Sequence, residues 1–446
     1  MGVKMGGILD LVYRMLQKYT LCDYCLGRQF ARLLSGVGNK ARGEALKVAL
    51  AMEANMRLLM DDKDAVNVLK VVAENGMNRH ARKLAKSLNY QIDENKTCDI
   101  CEGKLTEENF RRIADSIIGE LGQYEFSNFL IGTSVPVHIK ERDDQIKAEF
   151  ALTFGEEIKS DITRELGKII EGTTKKPVEF ATPDITILLD IFSGTFTVKS
   201  NPVFVKGYYK KLQPSIPQTP WICRKCRGKG CEACGQSGRE YPDSVSELIG
   251  EPALNLFEAL DYRFHAAGRE DVNVTVLGTG RPFVLELKSP RKRFIQPDKL
   301  QNAINEYAKD KVEVLDLSYT TKKDVRDMKA KSVVASKTYL ALVEFDSNVD
   351  ENKLREVCEK FRNVLVHQRT PSRILRRSDR VRKKYLYSIE AEKKGNRLVE
   401  FRIKAQGGLY IKEVINGDGG RTVPNIADVL GTAPINITLS VVEVER

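Results

Sequence analysis

"FHAAGREDVNVTVLGTGRPFVLEL", residues 264–287, decides how the C-terminal half of this 446-residue chain is read. Val272, Val274 and Val276 alternate with polar residues, and so do Phe283, Leu285 and Leu287. Period-two alternation marks half-buried strands, and LGTGRP between the two runs supplies turn residues. The stretch therefore predicts a β-hairpin, with the valines on its buried side and Asp271, Asn273 and Thr275 on the other. Two acids, Glu270 and Asp271, stand at its entrance behind a Gly-Arg pair. Asp271 either caps a turn there or is a working carboxylate presented on the open face.

Around this stretch the texture is β-rich with connecting helices. VEVLDLSY, KTYLALVEF, KYLYSIEAE, RLVEFRIKAQ and ITLSVVEVE read as strands, and DKLQNAINEYAKD as a helix capped by Asp298. Strands and helices in mixed order over residues 245–446 predict one α+β domain around a mostly antiparallel sheet. Towards the N-terminus the pattern changes. Ile8, Leu11, Val12, Met15 and Leu16 stand at helical spacing, and helical patterns run on to about residue 90. Thr106 caps a helix with Phe110, Ile113, Ile117 and Leu121 on one face, and Ile158, Ile162, Leu166 and Ile170 mark another. FLIGTSVPVHI and IKAEFALTF read as strands, and DITILLDIFSGTFTVKS as a hairpin turning at Ser193-Gly194. These patterns give a helical region over 1–94, a small α+β unit over 95–212 and a Pro-rich entry into a knuckle over 213–244. At roughly 150 residues per domain the length alone suggests about three domains.

Composition narrows the function classes. Hydrophobic residues make up 42% and charged residues 30%, as in a soluble globular protein, and no run approaches a membrane helix. MGVKMGGILDLVYRML has neither signal-peptide order nor a myristoylation Ser or Thr, so a cytoplasmic location without membrane attachment is expected. The formal net charge is +11, and HQRTPSRILRRSDRVRKK (367–384) holds eight Lys or Arg against the single acid Asp379. Such a balance suggests a polyanion, most simply nucleic acid; the bland alternative is a solvated basic helix face.

Eight of the nine cysteines form CxxC pairs: Cys22/Cys25, Cys98/Cys101, Cys223/Cys226 and Cys231/Cys234. In a cytosolic chain this favours zinc over disulfides. Two sulfurs at i and i+3 reach one ion at about 2.3 Å, and two such knuckles complete a tetrahedron. The last two pairs sit in CRKCRGKGCEAC, where the glycines of RGKG permit a sharp reversal; independent redox CxxC motifs are the alternative. The first two pairs share an ion only if the intervening helices return residue 98 to residue 25. Neither set offers a His or Asp for an open coordination position, so one or two structural zinc sites are expected. Cys358 is left as an inert thiol.

No Walker loop or Rossmann fingerprint is present, so no nucleotide or other organic cofactor is implied. Within this context AGREDVNVTVLGTGRPFVLEL resembles the catalytic motif of the pseudouridine synthases, in which Gly-Arg precedes the catalytic aspartate. KTYLALVEF, GGLYIKEVINGDGGRTVPNIADVLG and HQRTPSRILRRSDRVRKK are similar to the second motif, the YI[RK] motif and the basic thumb loop of the archaeal Pus10-type tRNA pseudouridine synthases. CDYCLGRQFA, NPVFVKGYYKKL and CRKCRGKGCEAC extend the likeness over nearly the whole chain.

The resemblance implies a THUMP-like RNA-binding module over 95–212 and a pseudouridine synthase domain over 245–446. It implies an enzyme that acts on tRNA in the TΨC arm, at uridines fifty-four and fifty-five; a monomer is expected. Asp271 becomes the catalytic carboxylate, either nucleophile at the sugar or base on its 2′ carbon. Lys412, on an expected YIK strand, takes the place of the basic partner of the aspartate. Tyr339 stacks on the flipped uracil, Ile437 or Leu439 seals its other face, and Arg269 helps hold the flipped state. Arg291, Lys292 and Arg293 form a basic finger opposite Arg369, Arg373, Arg376, Arg377, Arg380, Arg382, Lys383 and Lys384 of the thumb. The bland readings are a core tyrosine for Tyr339, a solvated lysine for Lys412 and packing for Tyr410. A non-catalytic zinc-containing RNA-binding protein and another THUMP-type tRNA-modifying enzyme are the rival functions.

Overall fold

The computed structural model describes residues 7–374 and 378–445, and the chain divides into two compact units, Met1–Asn201 and Pro202–Arg446. In the first, five helices between Ile8 and Ser87 precede a sixth, Glu107–Leu121. Thr106 caps that sixth helix by accepting from Asn109 N, and Phe110, Ile113, Ile117 and Leu121 are its buried stripe, as their spacing predicts. A three-stranded sheet follows, with order β1 (Phe129–Thr133), β2 (Ile185–Asp190), β3 (Thr195–Ser200). β1 and β2 are parallel, joined through helices Val137–Glu149 and Ile158–Thr174, whereas β2 and β3 form the expected hairpin. IKAEFALTF is not a strand. Its first residues end the helix Val137–Glu149, which starts after Pro136 and buries Ile139, Asp143 and Ile146 at helical spacing.

The cysteine pairs meet as their spacing requires. Cys22, Cys25, Cys98 and Cys101 form one group and Cys223, Cys226, Cys231 and Cys234 another, every sulfur within 4.8 Å of the others in its group. Sulfur–sulfur separations of 3.6 Å (Cys22–Cys101), 3.9 Å (Cys223–Cys231) and 3.8 Å (Cys226–Cys234) match the edge of a ZnS4 tetrahedron, about 3.8 Å for bonds of about 2.3 Å. They are far too long for disulfides. Both groups could hold a metal ion, with chemistry suited to structural zinc. In the second group the reversal falls on Gly228 (φ +91°) and Gly230 (φ +88°).

The first sulfur cluster is tied into its unit by charge. Arg28, fully buried, points Nη1 at Cys25 Sγ (3.7 Å) and donates Nη2 to Asp143 Oδ1 (2.8 Å). Asp161 Oδ2 stands 3.8 Å from the same guanidinium, and Gln29 Nε2 also donates to Asp143 (2.8 Å). The helical segment and the small sheet thus share one core, and the boundary expected at residue 94 separates no compact unit.

The second unit is built on a ten-stranded sheet. Its strands are β4 (Val203–Lys211), β5 (Asp261–Ala266), β6 (Val274–Lys288), β7 (Val312–Thr320), β8 (Ser336–Phe345), β9 (Val364–Gln368), β10 (Arg382–Lys393), β11 (Leu398–Gln406), β12 (Thr422–Val423) and β13 (Pro434–Val444). The order is β12-β9-β10-β11-β8-β13-β6-β4-β7, with β5 also on β6. Every pair is antiparallel except β13/β6, so the α+β class and the mostly antiparallel sheet hold. β4 pairs with β6 and β7. It therefore belongs to this sheet and not to the THUMP-like unit, which moves the expected boundary at 212 back to 201. The helix Pro297–Tyr307 begins with Pro297 after Gln296, so Asp298 lies in its first turn and is not its cap. Among the described residues no helix is long and apolar enough to cross a membrane.

The expected hairpin at 272–287 is a single strand. β6 runs fifteen residues without reversing, pairing Val274–Val276 with β13 and residues from Arg281 on with β4 and β5. Gly278 (φ +57°) and Gly280 (φ +76°) bend it instead. The buried positions shift from even (Val274, Val276) to odd (Phe283, Leu285, Leu287) across the bend, the one-residue slip that a bulge introduces. A side chain at Gly278 would meet Val442 O at 2.0 Å.

Two outcomes follow from these arrangements. Metal analysis of the purified chain should find two zinc ions, and Cys98→Ser should reduce this to one; one ion in the intact protein would undo the pairing of residues 22 and 25 with 98 and 101. Gly278→Ala should lower unfolding free energy by more than about 1 kcal/mol, since Ala there meets both a positive φ and a backbone clash, as read by denaturant titration.

Candidate active site

The loop joining β5 to β6 carries two adjacent acids with opposite fates. Glu270 points inward: its side chain is 1% exposed, and Arg281 Nε lies 3.0 Å from its Oε2, an ion pair outside hydrogen-bond geometry. The Tyr209 hydroxyl stands 3.0 Å from both Glu270 oxygens. Burial pushes the Tyr209 phenol well above its ordinary range, so it remains a donor. Gln218 Nε2 reaches Tyr209 Oη (2.9 Å), Gly268 O (3.0 Å) and Glu270 Oε2 (3.3 Å). Arg281 Nη1 donates to Ala267 O (2.8 Å), and buried Lys211 to Asp271 O and Val272 O (3.2 and 3.0 Å). The carbonyls of residues 267, 268, 271 and 272 are thus all held from below by side chains. Gly268 (φ +86°) permits the reversal, and a Cβ there would come within 2.8 Å of Lys337 Nζ.

Asp271 points the other way. It lies in the loop ahead of β6 rather than on the strand's open face, and its side chain is 39% exposed. Arg373 Nη1 contacts Asp271 Oδ2 at 2.8 Å. The same guanidinium gives Nε to Glu413 Oε1 (2.6 Å) and lies 6.0 Å over the Tyr410 ring. Glu413 is buried on the helix Ile411–Asn416. Ser372 N donates to Asp418 Oδ2 (2.8 Å), which fixes the turn carrying Arg373. Gln368 of β9 exchanges two bonds with the backbone of Tyr410 (2.8 and 3.0 Å). Residues from three distant segments therefore converge on one carboxylate.

The expected partner, Lys412, sits differently. YIK is not a strand: Lys412 lies in the first turn of helix Ile411–Asn416, half-buried. Among the described residues the cation in contact with Asp271 is Arg373. Burial and then the Arg373 charge pull the Lys412 ammonium down, while Asp271 and Glu413 oppose them. Lys412 thus adds positive potential without a direct contact. Tyr339 and the two aliphatic candidates lie on neighbouring strands β8 and β13. Tyr339 sits on β8 between Ile403 and Val441, with its phenol pushed up to about 12, first by burial, with Arg281 opposing and Asp271 adding. Leu439 stands beside Val274 and is only 5% exposed, whereas Ile437, on the same face of β13, is less deeply buried.

The basic residues divide. Arg269 is exposed and lies 5.9 Å over Trp221, itself edge-on to Tyr241 (5.5 Å), so it bridges the loop to the cysteine knuckle. Arg291 and Lys292 are exposed, Lys292 paired to Glu258 (2.7 Å), but Arg293 is 7% exposed and is not part of an open finger. Its backbone turns inward where the Tyr319 hydroxyl donates to Arg293 O (2.6 Å). In the thumb, Arg369, Arg380 and Lys383 are exposed, while Lys384 is half-buried. Arg382 is half-buried against Tyr410 (5.7 Å) and donates to Thr370. Residues 382–384 belong to strand β10, so no solvated helix face exists there. Arg376 and Arg377 lie outside the described residues. Arg421, unmarked in the sequence, pairs with Asp379 (2.6 Å).

Sequence reasoning missed Glu413 and the whole cage under Glu270. A signal existed for part of it: Lys211 falls in phase with Val203, Val205 and Tyr209 of β4, at a position that alternation makes buried.

Comparison with known proteins gives the family of the chain. Residues 204–445 match the family profile described as "Pus10, C-terminal", and residues 113–190 match "Pus10 THUMP domain, archaeal". A relative from Thermofilum pendens named "tRNA pseudouridine synthase Pus10" is 41% identical over 441 residues, covering 98% of this chain and 96% of its own. One of the same name from Methanocaldococcus jannaschii is 37% identical, covering 97% and 93%. Among solved structures, a Cbf5-Nop10-Gar1 complex aligns over 45% of each chain at 20% identity and a TM-score of 0.29, too low to bear on the fold. Two profile matches and near-full-length identity with such relatives establish that this chain belongs to the Pus10 family.

Proposed function

We propose that the protein isomerises uridine to pseudouridine in the TΨC arm of tRNA, at positions fifty-four and fifty-five, with Asp271 as the catalytic carboxylate. The observation that carries this is the Asp271–Arg373 contact at 2.8 Å, a half-open carboxylate beside Glu270, which is buried and ion-paired to Arg281. The Pus10 relatives bear the name of this activity.

The reaction breaks the N1–C1′ bond and forms C5–C1′, while the C5 proton is lost and N1 gains one. It needs no redox partner and no nucleotide. Asp271 either attacks C1′ and is later displaced by C5, or removes the 2′ proton to give a glycal; both return the carboxylate unchanged. The target base leaves its stack. Tyr339 offers a face for the uracil, and Leu439 with Ile437 offers an apolar boundary. Arg373 aims Asp271, and Lys412 adds positive potential. Arg269, Arg291, Lys292, Arg369, Arg380, Lys383 and Lys384 are assigned to the RNA backbone. The two cysteine groups would hold zinc in a structural role, and no chemical step passes through it.

Tritium release from tRNA labelled at uridine C5 tests the assignment. Asp271→Ala should bind tRNA and release none; release at the wild-type rate from this variant would refute the role of Asp271. Binding without release from the intact protein would favour a non-catalytic RNA-binding protein. Arg373→Lys should slow single-turnover release by about 10²-fold, because one ammonium cannot replace a fork that serves Asp271 and Glu413 together. Lys412→Met should cost less, because it touches Asp271 only through space. The reverse ranking would restore Lys412 as the direct partner.

A further inference from the structure

Lys211 ends β4, and its side chain is fully buried. Its Nζ lies 2.9 Å from Ile216 O, 3.0 Å from Val272 O and 3.2 Å from Asp271 O. An ammonium has three N–H donors and no acceptor, so donors and carbonyls match one to one. Two of those carbonyls belong to Asp271 and its successor. Burying a lysine is costly unless every donor is used, and here the cost is met by fixing the backbone from which the carboxylate projects. We propose that Lys211 is a positioning residue for the isomerisation, holding the main chain of Asp271 and Val272 so that the carboxylate meets the ribose at a fixed angle. The proposal rests on Asp271 being the catalytic carboxylate.

The clamp depends on charge. Lys211 is faced by Glu270 and Asp271 from the loop and by Arg281 from β6, and Tyr209 lies two residues before it on its own strand. Burial pulls the ammonium down, Glu270 opposes, Arg281 pulls further and Asp271 opposes, leaving it at about 8. Below that pH three donors serve three carbonyls. Above it the amine keeps two, and one carbonyl is left facing a lone pair. The chemical step should therefore slow as pH rises through about 8. Lys337, in the same cage, is also pulled down to about 8, first by burial and then by Arg281, with Glu270 opposing, and is the control for this assignment.

The test is single-turnover tritium release from full-length tRNA, followed from pH values well below 8 to well above it. Wild type, Lys211→Arg, Lys211→Met, Lys337→Arg and Asp271→Ala are compared, with folding checked by thermal melting. All enzymes see the same RNA, so titration of the substrate appears in every profile. Expected results are a wild-type rate that falls above pH 8 and a fall displaced upward in Lys211→Arg. Lys211→Met should react about 10²-fold more slowly with tRNA affinity unchanged. A wild-type profile flat through pH 8 overturns the proposal. So does an unmoved fall in Lys211→Arg, a fall moved by Lys337→Arg instead, or a Lys211→Met enzyme as fast as wild type. If Lys211→Met does not fold, the comparison of wild type with the two arginine variants decides. Release by Asp271→Ala would instead remove the catalytic reading itself, whatever Lys211 does.

Discussion

The ion pair between Glu270 and Arg281 is the constraint on which the active-site loop depends. Both side chains are almost wholly withdrawn from water, and removing one partner of such a pair costs about 3–5 kcal/mol because the other charge stays buried. With Glu270 drawn inward, its neighbour Asp271 turns outward. Tyr209, Gln218 and Lys211 complete the arrangement by holding Glu270 or the carbonyls around it. An exposed loop would hold its carboxylate loosely; this one has its geometry set by groups that cannot move without leaving a buried charge or donor unpaired. The reversal falls on one glycine, Gly268, which adopts its positive φ without strain and leaves no Cβ to meet Lys337 or Arg281.

The second consequence is a division of labour among cations. Arg373 spends Nε on buried Glu413 and has Nη1 left for Asp271. The fork is therefore aimed by the helix Ile411–Asn416 as much as by the basic segment that carries it. The planar fork of Arg373 reaches both acids at once, whereas Lys412 acts on Asp271 through space. The first unit shows the same economy: Arg28 faces the Cys25 sulfur and two buried carboxylates, linking a metal-type cluster to the helices that flank the small sheet.

Much of this was legible in residues 1–446. CxxC spacing foretold both sulfur groups, because i and i+3 geometry is local and only the return of residue 98 to residue 25 had to be supplied. Alternation identified β7, β8, β10, β11 and β13. It misled at 272–287, where two correctly read apolar runs were joined by glycines that bend a strand as readily as they reverse it. No local pattern distinguishes the two outcomes. What decides is the partner on each side, β13 for the first half of β6 and β4 with β5 for the second. IKAEFALTF and YIK fit either period because short apolar runs do; residues 146–149 close the helix Val137–Glu149, and Ile411 and Lys412 open the helix Ile411–Asn416.

By itself the sequence determined the strand-forming segments of the second unit, the two cysteine groups and the excess of positive charge, because these follow from local periodicity, ligand spacing and composition; Asp271 was singled out by the likeness of its motif to that of the pseudouridine synthases. The tertiary structure alone decided which acid faces outward and which is buried, that β4 joins the large sheet, and that Arg373 rather than Lys412 touches the carboxylate. Each of those depends on side chains and strands brought together from separate segments of the chain, whose pairing is fixed only when burial removes water as the alternative partner.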